Sequence, residues 1–467
     1  MSGKIQMKRP NILLIMTDQH HADCAGYTGL RGIKTPHIDS LVSAGVNFSQ
    51  AYTVHGTCIP SRVSYLTGLY PHSHGVYGND TDPIPDNLLS LATFLQRYGY
   101  TTALIGKKHL PRWNTHGFQY QKLCYHADAP LRQLDYYNYL KKHGLHQWYD
   151  ELGDVKKFCL GPEEVPVEHS LENWTAEETI KYLERDKREP FFLFTSFERP
   201  HFPLTVPANC GFVYNPDEIK LPENLKYTES SFFFDRNVEL LFTIKTYGEK
   251  IFRQALAKYY TLITLIDYNI GRILQCLERN SLRDKTIVIF CSDHGDFAGE
   301  YGRMGKGYPY DALHRIFFIW SWPGVFKKGK EEKGFVQNID LFPTICDLLN
   351  LPEPIHLQGK SLLPYLTTGK SCERKFVFFE SVCVKTVRTR THKLNYGFTA
   401  EGEKGELFDL TKDPHEYHNV FQENAYQEVR EFLLRSLMDW WIATQQPVNF
   451  LRSDEKFPDT RWFKYHK

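Results

Sequence analysis

The sequence predicts an α/β chain: a large, doubly wound, mixed and mostly parallel sheet flanked by helices, with a smaller C-terminal antiparallel sheet and helix. Three observations predict it. Short apolar runs recur at residues 11–16, 101–105, 191–195 and 286–291, rich in Ile, Val and Phe as buried parallel strands are. Helical patterns lie between them, and strands alternating with helices make a doubly wound sheet. Past about residue 370 the texture changes to short runs joined by polar turns, which reads as antiparallel pairing.

The first run, 11–16, is too short for a signal core and passes straight into Thr17-Asp18-Gln19, so it reads as a strand. Residues 35–45 carry a Thr cap, Pro36 at the first position and a terminal Gly45, the punctuation of a helix. Pro60 suits the first turn of a second helix and Gly68 its left-handed end, which places Cys58 at that helix's N-terminus. Leu88, Leu91, Phe94, Leu95 and Tyr98 share one helical face, closed by Gly99. Tyr260, Ile263, Ile266, Ile270, Ile273 and Leu277 share another. Segments 119–175 and 203–250, rich in aromatic and charged residues, read as insertions that wall a site. Runs at 375–380, 384–388, 392–396 and 405–410 build the small sheet, and 426–441 a final helix. The expected division is 1–370 for the α/β part and 371–467 for the C-terminal subdomain.

The 467 residues suffice for one large domain and a smaller one. A net charge of +1 gives no bulk pull toward nucleic acid or an anionic membrane, and no apolar run reaches the length of a bilayer span. Ten cysteines, with no signal peptide and no Cys-x-x-Cys pair, read as reduced thiols of a cytoplasmic protein. Oligomeric state stays open: the Trp440-Trp441 helix and the tail 457–465 could form a homo-oligomer interface or cover the small sheet.

Each of the four apolar runs delivers polar residues: Asp18-Gln19, Lys107 with His109, His201 between two prolines, and Asp293-His294. Ligands in a doubly wound sheet collect beyond the carboxyl ends of its strands, so the four runs point to one polar site. Carboxylates with an amide oxygen and an imidazole can hold a divalent cation. Lysine adds a point charge for an anionic oxygen, and histidine moves a proton near neutrality. Cys58 joins them at a helix N-terminus, where free N–H groups favour an anion, with Arg62 one turn on.

The stretch Cys58-Ile59-Pro60-Ser61-Arg62, running on to Leu66-Thr67-Gly68, resembles the signature of type I sulfatases, members of the alkaline phosphatase superfamily. Gly106-Lys107-Lys108-His109-Leu110, Pro200-His201-Phe202-Pro203, the Gly295, Gly299, Gly302 and Lys306 series, and Glu406-Leu407-Phe408-Asp409-Leu410 follow in the family's order, from residue 10 to about 420. The resemblance implies hydrolysis of a carbohydrate, aryl or alkyl sulfate monoester. It implies that a formylglycine-generating maturation enzyme oxidises Cys58 to formylglycine (3-oxoalanine), whose geminal diol is the nucleophile. It places one divalent metal, calcium with manganese as the alternative, on Asp18, Gln19, residue 58, Asp293 and His294. By the same resemblance Lys107 and Lys306 bind sulfate, Arg62 stabilises its charge, His109 takes a proton from the diol, and His201 contacts the ester and protonates the leaving oxygen. Many sulfatases carry Asp-Asp and Asp-Asn where this chain has Asp18-Gln19 and Asp293-His294, a variant more like the choline-sulfatase and phosphonate monoester hydrolase branch. Asn79 matches a position that contacts the ester in the phosphonate-hydrolase branch. Two alternatives stand beside the sulfatase: a phosphonate monoester or phosphodiester hydrolase on the same scaffold, and a silent anion-binding member with Cys58 unconverted.

Overall fold

The computed structural model describes residues 9–79, 84, 88–113, 116–125, 130–147, 162–185, 190–225, 231–233, 241–370 and 373–445. The tail at 457–465 lies outside them, as do parts of both expected insertions. Eight strands form the main sheet: β1 (Asn11–Asp18), β2 (Val46–Phe48), β3 (Thr101–Lys107), β4 (Tyr120–Tyr125), β5 (Phe191–Pro200), β6 (Thr286–Ser292), β7 (Phe318–Ser321) and β8 (Lys330–Glu332). Their order across the sheet is β8-β2-β7-β6-β1-β5-β3-β4. All pairings are parallel except the two made by β7, so one strand runs against the other seven. The four apolar runs of the sequence are the adjacent central strands β6, β1, β5 and β3, and their carboxyl ends meet along one edge.

Strand period decides the layers. Ile12, Leu14 and Met16 of β1 face one core, which includes Ile59, Val63 and Leu66 of the helix α2 (Cys58–Thr67). Leu13 and Ile15 face the opposite core, with Ile38 and Leu41 of α1 (Pro36–Ala44) and Ile266, Ile270 and Ile273 of a long helix, Glu249–Arg279. Successive side chains of a strand point to opposite faces, and both faces of this sheet are covered by helices, as an all-apolar strand demands.

The small sheet has order β9 (Val377–Glu380), β10 (Val384–Arg388), β11 (His392–Thr399) and β12 (Gly402–Asp409), antiparallel throughout, and a final helix, Gln427–Thr444, packs on it. Three details depart from the sequence reading. The helix expected from Leu88 begins at Leu91, with Ser90 as its cap. The segment read as an insertion from residue 119 supplies β4, the edge strand of the main sheet. Thr35 does not cap α1 with its side chain: its hydroxyl serves Gly26 N and Asp39, and the free N–H groups of His37 and Ile38 donate to Asp267 of the long helix instead. No helix among the described residues is long and apolar enough to cross a membrane.

Candidate active site

Three tethers bring α2 to the strand ends. Ser61 Oγ donates to the Asp293 carbonyl at 2.6 Å, and Tyr65 OH to the Ser292 carbonyl at 3.0 Å. The third is Arg62, wholly buried, whose Nη2 and Nε reach Asp18 and Asp293, each at 2.9 Å. Its Nη1 donates to Ser196 Oγ at 2.8 Å and to the Lys107 carbonyl at 3.3 Å. One guanidinium thus ties the ends of β1 and β3, the middle of β5 and the turn after β6, using the planar fork that only arginine has. Gly106 permits the close approach of β3 to β5 just before Lys107: its φ is +102°, and a Cβ there would lie 2.0 Å from the Ser196 carbonyl oxygen.

Cys58 is the first residue of α2 and is buried. Its Sγ lies 2.9 Å from Lys306 Nζ, 3.2 Å from His294 Nε2 and 3.5 Å from Asp18 Oδ1. The thiol occupies the place that an oxygen of a modified residue 58 would take. Lys107 Nζ is 2.9 Å from Asp18 Oδ2 and sits over the Tyr125 ring. His201 donates from Nδ1 to the Phe202 carbonyl at 2.7 Å, which leaves Nε2 facing Lys306 Nζ at 3.2 Å. His294 spends Nδ1 on the Gly295 carbonyl at 2.8 Å, so the Nε2 lone pair is turned to Cys58.

Asp18, Cys58, Asp293 and His294 bring one ligand atom each within 4.8 Å of one another. The set fits a divalent cation. Gln19 adds the observation that supports the fit: its Nε2 is fixed on Asp296 Oδ2 at 2.6 Å, while its Oε1 is buried without a hydrogen-bond partner. A buried acceptor left unpaired is costly, and an ion at this place would satisfy it.

The electrostatics follow from burial among lysines. Burial alone would raise the Asp18 carboxyl, but Lys107, His201, Arg62 and Lys306 together hold it well below the usual carboxylate range. Asp293 is pushed up, first by burial and then by the Asp18 charge beside it. Burial and then Lys107 hold both His109 and His201 well below the ordinary histidine value, so both are neutral at pH 7.

Of the residues expected in the site, Asp18, His294 and Lys306 touch Cys58 and Asp293 lies in the same cluster, while Gln19, Arg62, Lys107 and His201 join through these. His109 stands on the Lys107 turn with a φ of +37° and its ring edge against Tyr125, its Nδ1 buried and unpaired. Asn79 is exposed and its Oδ1 accepts from Ile59 N at 3.1 Å, so it closes the first turn of α2 from outside. Sequence reasoning missed Ser196, Tyr125 and Asp296. Ser196 could have been found from its place at the polar end of an apolar run. Asp296 could have been found from the glycine-rich turn whose Gly305 N and Ala298 N it accepts. Tyr125 gives no sequence signal.

The sulfatase family model matches residues 10–351, and a model of the C-terminal part of N-sulphoglucosamine sulphohydrolase matches residues 299–441. An arylsulfatase of Clostridium perfringens is 32% identical, over 92% of this chain and 94% of that protein. The chain belongs to the sulfatase family. Like other sulfatases it is a sulfuric ester hydrolase. Among its relatives is an N-acetylglucosamine-6-O-sulfatase of Bacteroides thetaiotaomicron, 26% identical over 97% of this chain and 89% of that protein. The phosphonate monoester hydrolase of Agrobacterium radiobacter has the same fold as this sulfatase, with a TM-score of 0.78 at 24% identity, over 93% of this chain and 96% of that one.

Proposed function

We propose that this sulfatase hydrolyses a sulfate monoester of a carbohydrate, aryl or alkyl alcohol through a formylglycine at position 58. The observation that carries the reading is the convergence on Cys58 Sγ, at the N-terminus of α2, of Lys306, Asp18 and the Nε2 of His294, with Asp293 in the same cluster and Lys107 on Asp18. Asp18, Gln19, Asp293, His294 and residue 58 would hold one divalent ion. Calcium suits the oxygen-rich set, and the histidine nitrogen makes manganese the alternative. When bound, the ion supplies Lewis acidity and charge at the sulfate.

The chain's own residues then divide the work. One hydroxyl of the residue 58 diol, deprotonated with help from Asp293, attacks sulfur, and the bond from sulfur to the leaving oxygen breaks. Lys107 and Lys306 stabilise charge on the transferring group. Arg62 has its Nε, Nη1 and Nη2 on protein acceptors, so it acts by holding the two carboxylates in place. His201, neutral in the free enzyme, takes up a proton when the ester's negative charge offsets the two lysines, and passes it from Nε2 to the leaving alkoxide. The second diol hydroxyl gives its proton to His109, the carbon–oxygen bond to sulfate breaks, and the aldehyde reforms for water to hydrate.

A maturation enzyme that forms formylglycine is the partner this reading requires. The described cysteines are free thiols, which suits a cytoplasmic protein. A division at about residue 370 is supported by the last strand of the main sheet ending at Glu332 and the small sheet opening at Val377. Intact mass and peptide mapping of residue 58, with turnover of nitrophenyl sulfate and of a nitrophenyl phosphonate monoester side by side, test the function. The expected result is an aldehyde at 58, preference for the sulfate, and loss of activity by about 10³-fold or more in Cys58→Ala. Near-parent turnover by the alanine variant defeats the reading, and preference for the phosphonate replaces it with the hydrolase alternative.

A further inference from the structure

The turn that carries Lys306 is closed at its neck. Between β6 and β7 the chain leaves the main sheet, and residues 293–317 present Asp293, His294 and Lys306 before Phe318 rejoins it. A three-residue strand, Arg303–Gly305, pairs with Leu241–Thr243 just ahead of Lys306, and a short helix, Asp311–His314, follows just behind. The Tyr301 and Tyr310 rings meet across the neck with centroids 4.5 Å apart. Gly307, next to Lys306, has a φ of +107°, which suits glycine alone. Lys306 therefore stands on a narrow loop, and what holds the two ends of that loop sets where its Nζ lies, 2.9 Å from the Cys58 sulfur.

Both ends are fastened to one place beyond the small sheet, His415-Glu416. On one side Tyr301 OH donates to the His415 carbonyl at 2.6 Å. On the other, Asp311 N donates to Glu416 Oε1 at 3.2 Å. Lys393 of β11 puts its Nζ 2.6 Å from Glu416 Oε2 and 3.3 Å from Asp311 Oδ1. Arg388, which ends β10, holds Asp311 Oδ2 from Nε at 2.6 Å. Lys393 is wholly buried and Glu416 nearly so. Tyr301 and Glu416 are both left-handed, with φ of +55° and +57°, a conformation that a non-glycine residue keeps only where its surroundings hold it. Buried charges are a poor means of joining two sheets, because apolar residues of similar volume often do so at no loss of stability. What these charges add is direction: each bond fixes one atom of the turn's end.

We propose that Lys393 and Glu416 are positioning residues for the hydrolysis: with Asp311 they set the neck of the turn 301–311, and through it the place of Lys306 Nζ beside residue 58 and the sulfate. The proposal rests on the reading of Lys306 as a sulfate-binding residue. Both residues act from the C-terminal part of the chain, through the backbone of the turn. A shift of about 1 Å in a group that must meet the reacting centre can cost about 10²-fold in rate, so a distant fastening can govern turnover.

The test uses the full chain with its residue 58 aldehyde verified by mass. Two quantities are measured: kcat/KM on nitrophenyl sulfate, and the Kd of inorganic sulfate by titration calorimetry. Lys393→Met and Glu416→Ala should each lower kcat/KM and raise the sulfate Kd by about tenfold. In a Lys306→Ala background the same substitutions should change the sulfate Kd by less than about twofold, because the lysine they position is gone. Losses that multiply in that cycle would mean the charges support the fold as a whole, and would overturn the proposal. So would parent-like constants in both variants. If neither variant folds, Tyr301→Phe decides, since it keeps the ring and loses only the hydroxyl on His415. A loss of about threefold with Lys306 present and none without it upholds the proposal, and any other pattern overturns it. If Lys306→Ala alone leaves both constants unchanged, the proposal falls while turnover by the parent keeps the sulfatase reading standing. No turnover of any sulfate ester by converted parent defeats that reading itself, and the proposal with it.

Discussion

Arg62 and Cys58 stand one turn apart on α2, and the structure gives them different work. Cys58 faces the lysines, while Arg62 lies between Asp18 and Asp293 with no surface exposed. Removing one partner of a buried ion pair leaves the others charged and unpaired, a loss on the order of 3–5 kcal/mol. Arg62→Ala should therefore lower unfolding free energy by about that amount in urea titrations, and reduce divalent metal content as well. A variant that loses activity while keeping its stability would show instead that Arg62 meets the ester directly. The two histidines separate by leaving group. His201 Nε2 faces Lys306, and the proposed mechanism has it protonate the leaving oxygen. His201→Ala should slow alkyl or sugar sulfates by about 10²-fold or more, with a much smaller effect on nitrophenyl sulfate, whose leaving group needs no proton. His109→Ala should make the covalent sulfate on residue 58 accumulate to a level visible by mass. Equal losses on both substrate types would reduce His201 to positioning the ester. The residues gathered around Cys58 were legible because each ends an apolar run or sits in a spaced motif. Tyr125 was not, because what singles it out is its place under the Lys107 ammonium.

At the scale of elements, the junction between α1 and the long helix shows what local signals miss. Thr35-Pro36 correctly announces a helix start, yet the groups that satisfy α1's free N–H are 230 residues away. Asp267 Oδ1 accepts from Ile38 N at 2.7 Å and from His37 N at 3.1 Å. Loss of such a cap in Asp267→Ala should cost about 1–2 kcal/mol, measured by denaturant unfolding. Burial pushes the Asp267 carboxyl up to about 7. The folded state therefore holds this proton more tightly than the unfolded chain does. The stability it contributes is present in full below about pH 4 and is lost as pH rises through about 7. Asp267→Asn keeps an acceptor oxygen and removes the titration, so the variant should gain on the parent between pH 5 and pH 8 in thermal unfolding. A difference that does not change with pH would mean the carboxyl is ionised throughout. Edge elements were also hard to read. The half-buried β4 lacks a continuous apolar run, and β2 and β8 are three residues long, too short for periodicity to speak.

Across the whole molecule, the central strands were legible because burial on both faces writes an uninterrupted apolar run, and the small sheet because its turns are polar and closely spaced. The join between the sheets was not legible. Glu380 of β9 accepts from His72 N and from His72 Nδ1, at 2.9 and 2.7 Å, just beyond α2, a pairing across 308 residues. The metal set is also a long-range assembly: Asp18 ends β1 and Asp293 follows β6, so an ion there would bind the folded chain and not the unfolded one. Chelation should abolish turnover, lower the melting temperature by a few degrees, and be reversed by added calcium or manganese. Active protein found free of stoichiometric divalent metal would overturn the assignment.

The ten residues of α2 are all buried, from Cys58 at its first position to Thr67 at its last. A small ester presents a single sulfur atom to position 58. A protein catalyst needs several residues of extended backbone laid across its own cleft, and here those residues are wound into a helix and buried. Any enzyme that alters residue 58 must therefore meet the chain before it folds. For this sulfatase the order of events in biosynthesis would then decide activity: a molecule that folds first is shut out of conversion for as long as it stays folded. Refolding denatured, unconverted protein in the presence of the maturation enzyme would reopen that interval.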